Sequence, residues 1–100
     1  MSIDFESEIA EIVSKLKPVE GYLNCEKIIV RNIQKHLLTG KNDEKIITYL
    51  KDLSAWFNKQ MNARQHTDEY INYMYASGFI DTLLKMSYWK NWVKTIDRYH

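Results

Sequence analysis

The sequence predicts an all-α protein, one domain over 1–100 built as a bundle of four to five antiparallel helices. Three observations predict it. Glycine and proline are scarce, at 3 and 1, leaving few of the breakers that a multi-stranded sheet uses at its turns. Each N-terminal segment repeats its apolar residues with a helical period, and each ends in a cap or a breaker. With 45% hydrophobic and 27% charged residues the composition is that of an ordinary globular domain. One hundred residues suffice to bury a core without disulfides or metals.

The elements follow in order. Phe5, Ile9, Ile12, Val13 and Leu16 lie on one face of a first helix, with acids early and lysines late to complement the macrodipole, and Pro18 stops it. A second helix is expected from about Tyr22 to Leu38, with Cys25, Ile29, Ile33 and Leu37 on one face and Gly40 just past its end. Asn42 or Asp43 caps a third, which carries Ile46, Leu50, Leu53, Phe57 and Met61 inward and ends near Ala63. Thr67, followed by Asp68 and Glu69, reads as the start of an aromatic-rich fourth helix. Ser87 reads as a further cap, after which Trp89, Trp92, Val93 and Ile96 share a stripe. Gly78 leaves open whether the fourth helix is continuous, since one glycine costs only about 1 kcal/mol against alanine.

Charge and cysteine usage bound the function. A net charge of +1 gives neither a basic nucleic-acid footprint nor an acidic mimic of one, so no direct nucleic-acid binding is expected. Acids cluster at one end (Asp4, Glu6, Glu8, Glu11, Glu20) and bases at the other (Lys85, Lys90, Lys94, Arg98), which a hairpin of the two ends would satisfy. The single cysteine forms no internal disulfide, and the acidic start MSIDFESE is unlike a signal peptide. Both point to the cytoplasm. No apolar run approaches the roughly 18 residues of a membrane span.

Residues 31–36, RNIQKH, are the one stretch that suggests chemistry. They resemble the R-x4-H signature of HEPN-type ribonucleases, which implies RNA cleavage by Arg31 and His36 with the polar Asn32 beside them, or an inactive relative of such an enzyme. Five residues of helix turn through about 140°, so the two side chains converge only if a dimer brings two copies together. The alternative is structural: His36 falls beside Ile29 and Ile33 on the apolar face and Arg31 opposite, toward water. His66 with Asp68 and Glu69 lacks a second His or Cys at ligand spacing, and the two acids read better as caps. Cys25 reads as a small core residue. No metal, cofactor or catalytic residue is assigned.

The remaining features suggest binding. Tyr70, Tyr73, Ala76, Ile80 and Leu84 make a core stripe on the fourth helix, while Ile71, Met74 and Tyr75 lie away from it, flanked by Asp68 and Asp81, so that this helix is either central in the bundle or half-covered by a partner. On the first helix Asp4, Glu8 and Glu11 form an acidic stripe, either a solvated face or a second contact. In size, helical character and lack of catalytic motifs the chain is similar to bacterial immunity proteins, including those of contact-dependent growth inhibition systems. That similarity implies a non-enzymatic inhibitor that neutralises a cognate toxin domain. A helical subunit of a larger assembly would have the same composition.

Overall fold

The computed structural model describes residues 4–16 and 20–96, and the side chains of 20–23 are not among those described. Within them the chain forms five α-helices and no strand: α1 (Phe5–Ser14), α2 (Glu20–Leu38), α3 (Asp43–Ala63), α4 (Tyr70–Lys85) and α5 (Trp89–Thr95). None of these helices is long and apolar enough to cross a membrane. Pro18, the expected stop for α1, lies outside the described residues, as does Arg98 of the basic C-terminal end.

Local chemistry explains most boundaries. Asp4 caps α1, its carboxylate accepting from Ser7 N at 3.2 Å. The end of α2 is a Schellman motif: Lys41 N donates to His36 O and Gly40 N to Leu37 O, with Gly40 at φ 84°, the left-handed conformation a glycine tolerates best. Asn42 then caps α3, accepting from Lys45 N at 2.8 Å, and Asp43 and Glu44 occupy its first turn. The helix ends at Ala63, where the apolar period fades.

Two expected caps fail. Thr67 is spent in the α3–α4 turn, its hydroxyl donating to Arg64 O at 2.7 Å, and α4 begins only at Tyr70. Glu69 takes the N-cap position without a side-chain capping bond, its carboxylate instead accepting from Arg64 Nε at 2.9 Å. Arg64 also stacks 4.5 Å above the Tyr73 ring, so one guanidinium fastens the turn to α4. Ser87 does not cap α5 either; Tyr88 holds that position without a side-chain bond. Gly78 does not break α4, which runs through it.

The main packing is α3 against α4, with α2 lying on α4 and α1 and α5 each lying on α2. The expected hairpin of the two chain ends is thus replaced by docking of each on α2. Lys90 of α5 finds its acid in Asp43 of α3, at 2.9 Å. The core takes Ile9 and Ile12 from α1, Cys25, Ile29 and Ile33 from α2, Ile46, Leu50, Leu53 and Phe57 from α3, Tyr73, Ala76, Ile80 and Leu83 from α4, and Trp89 and Val93 from α5. Met61, expected inside, is only half-buried.

Burial decides the chemistry of Cys25. It is fully enclosed, and burial, helped by the charge of Glu26, pushes its thiol from 9.0 up to about 12. A raised folded value means that the protonated thiol contributes stability below its unfolded pKa and that this is lost as pH rises toward 12. Unfolding free energy should therefore be flat up to about pH 9 and fall beyond it, with a shallower slope in Cys25→Ala. An aromatic disulfide reagent should label Cys25 only in denaturant. Fast labelling of the native chain would contradict its burial.

Candidate functional site

Helix α4 has two faces. Asn72, Tyr73, Ala76, Ser77, Ile80 and Leu83 are buried, and that stripe uses the helix's contact with α3 and α2. On the opposite side of the cylinder, Ile71, Met74 and Tyr75 point out, with 53%, 44% and 37% of their surface exposed. Their positions, with Gly78 and Thr82, recur at i, i+3, i+4, i+7 and i+11, so they form one continuous ridge. This is the apolar surface that the spacing in the sequence places away from the core stripe.

Beside the ridge runs an open groove of about 510 Å³, walled by Glu26 of α2, by Tyr75, Phe79 and Thr82 of α4, by Met86 just past its end, and by Trp92 of α5. The Tyr75 hydroxyl donates to Glu26 Oε2 at 3.1 Å, which ties the outer edge of the ridge to α2. Gly78 adds no side chain, and a Cβ built there meets nothing within 4 Å. The groove depends on three helices meeting, and nothing in the local sequence of any one of them announces it.

The charged residues expected at the rim divide. Asp68 is exposed at the start of α4. Asp81 is half-buried and faces α3, where it accepts from Ser54 Oγ at 2.5 Å, so it serves the α3–α4 contact and not an outer rim. The stripe on α1 divides as well. Asp4 is the helix cap and Glu11 is exposed, accepting weakly from Asn32 at 3.5 Å.

Glu8 corrects the picture of a solvated acidic stripe. Its carboxylate turns inward, where Oε1 accepts from the Tyr49 hydroxyl at 2.5 Å and Oε2 bonds His36 Nε2 at 2.9 Å. The His36 and Tyr49 rings also meet edge to face at 5.2 Å. Burial, then the hydrogen bond and charge of Glu8, push the Tyr49 phenol far above its ordinary value, so it stays a donor at any physiological pH. Three helices are joined through one carboxylate. Tyr49 was within reach of sequence reading, because it lies one turn from Ile46 on the buried face of α3; its pairing with Glu8 was not.

The same cluster bears on residues 31–36. His36 is 93% enclosed by its neighbours, at 7% exposure, with its Nε2 engaged by Glu8, whereas Arg31 is exposed on the far side of α2. The structure does not bring the two together within one chain. Among the described residues, no group of three or more His, Cys, Asp or Glu side chains is placed to hold a metal ion. Compared with protein-family models, with curated proteins and with solved structures, the chain finds no match.

Proposed function

We propose that this chain is a non-enzymatic protein-binding module, an inhibitor of the immunity type that neutralises a cognate bacterial toxin domain by direct contact in the cytoplasm. The observation that carries the reading is the exposed ridge of Ile71, Met74 and Tyr75 beside an open apolar groove on a helix whose other face already fills the core. Large apolar and aromatic side chains held outside on a rigid helix, next to a concave surface, are the composition and shape of a contact patch. Met supplies an adaptable surface and Tyr a rigid one with a polar tip. Asp68 adds a charge at one end of the patch, and Glu11, exposed on α1, offers a separate acidic contact. A toxin domain is the expected partner because small size and an all-helical build are shared with immunity proteins.

Truncating the anchors tests this. Met74→Ala and Tyr75→Ala should each weaken the complex with a co-purifying protein by about 2 kcal/mol or more, some thirtyfold in Kd. Both should leave the thermal midpoint of the isolated chain within a few degrees. A large drop in melting with affinity retained would move the binding surface elsewhere, and RNA cleavage by the purified chain that disappears in Arg31→Ala would replace the reading altogether.

A further inference from the structure

We infer that the outer face of α4 is also a self-association surface, covered by a second copy of this chain packed antiparallel across Gly78. The inference rests on the reading of that face as a protein contact surface and names one occupant for it. Three features of the ridge point to a copy of itself.

The first is charge. Between Ile71 and Thr82 the outward positions carry no charge, while the ends carry opposite ones: Asp68 is exposed before the first turn and Lys85 is exposed in the last. A ridge acidic at one end and basic at the other is complementary to its own reverse. Two copies related by a two-fold axis place the Asp68 end of each beside the Lys85 end of the other, the self-matching that an isologous interface requires.

The second is the position of glycine. Gly78 lies midway between Ile71 and Lys85, at the point where the two-fold axis would pass. It is exposed, and a Cβ there meets nothing within 4 Å, so α4 needs no glycine for its own packing, while glycine inside a helix weakens it. A residue without a side chain at the crossing point lets two helix backbones approach closely. The third is matching across that axis. Antiparallel pairing about Gly78 sets Met74 against Thr82 and Ile71 against the aliphatic stem of Lys85, about 10 Å from the axis at a helical rise of 1.5 Å per residue. The contact is confined to one face of a single 16-residue helix, so beside a standard interface of roughly 800 Å² per partner the dimer is weak and concentration-dependent. A toxin domain that uses the same side chains competes with the second copy.

Sedimentation velocity of the full chain over a concentration series is the test. The mass should rise from one chain toward two as concentration increases. Gly78→Arg puts two like charges at the axis, and should hold the mass at one chain while leaving the helical circular dichroism and melting midpoint unchanged or higher. Asp68→Lys and Lys85→Glu should each dissociate the dimer, and the double variant should restore it by swapping the charges. A wild-type chain that remains monomeric throughout overturns the inference, as does a dimer that survives Gly78→Arg. Failure of the double variant to restore association overturns the antiparallel arrangement. If the chain is monomeric yet its affinity for a co-purifying protein still depends on Tyr75, the second copy is excluded and the contact surface stands.

Discussion

Glu8→Ala should lower the stability of the fold by about 3 kcal/mol, far more than an acid on a helix surface. The carboxylate accepts from Tyr49 and from His36, and the side chains of His36 and Glu8 are only 9% and 15% exposed. Removing it leaves a buried phenol and a buried imidazole without their common acceptor, and each loses a charge-assisted bond that water cannot replace in that enclosure. For a domain of this length each kcal/mol moves the melting midpoint by about 4–8 °C, so a fall of more than 10 °C is expected. Urea unfolding of Glu8→Ala, Tyr49→Phe and the double variant gives the coupling directly, and it should exceed about 1 kcal/mol. His36→Gln should cost about 1 kcal/mol, because an amide can still reach Glu8. If Glu8→Ala costs less than about 0.5 kcal/mol, the side chain is solvated and α1 is held by Ile9 and Ile12 alone.

Phe57→Ala should be the most destabilising single truncation in α3, at about 4 kcal/mol. Phe57 is fully buried where α3 meets α4, with its ring centroid 5.0 Å from that of Trp56 and 6.1 Å from that of Tyr73. The loss combines the transfer term of a large ring with the cavity left between two helices that cannot collapse freely around it. Against the 5–15 kcal/mol typical of a small domain, this is about a quarter of the fold or more. Met61→Ala, four residues along on the same stripe but half-buried, should cost much less, and comparing their denaturant midpoints removes any general effect of alanine on the helix. Equal costs at the two positions would mean that the α3–α4 contact is looser at Phe57 than its enclosure indicates.

The sequence alone determined the helices and, on α4, that Ile71, Met74 and Tyr75 lie apart from the core stripe. The period of apolar residues, the glycine at position 40, the asparagine cap at 42 and the fading of the pattern after Ala63 are signals that act over one turn, and each appears in the structure where its spacing puts it. The placing of Ile71, Met74 and Tyr75 opposite the core is equally local: once Tyr73, Ala76 and Ile80 face the core, 3.6 residues per turn leaves those three on the other side, whereas their exposure depended on no further helix packing over them. The start of α4 was less legible because Thr67 had two local uses, capping a helix or closing the turn behind Arg64, and the path of the turn decided for the second. What only the tertiary structure decided is where the polar side chains at the helix margins went. Glu8 meets residues 28 and 41 positions away in the chain, and Asp81 meets one 27 away. A carboxylate on the border of an apolar stripe faces water or a neighbouring helix according to how the helices cross, and a crossing is fixed by the packing of whole faces rather than by any residue's own neighbours. The groove beside Tyr75 arose in the same way, from the angle at which α2, α4 and α5 meet.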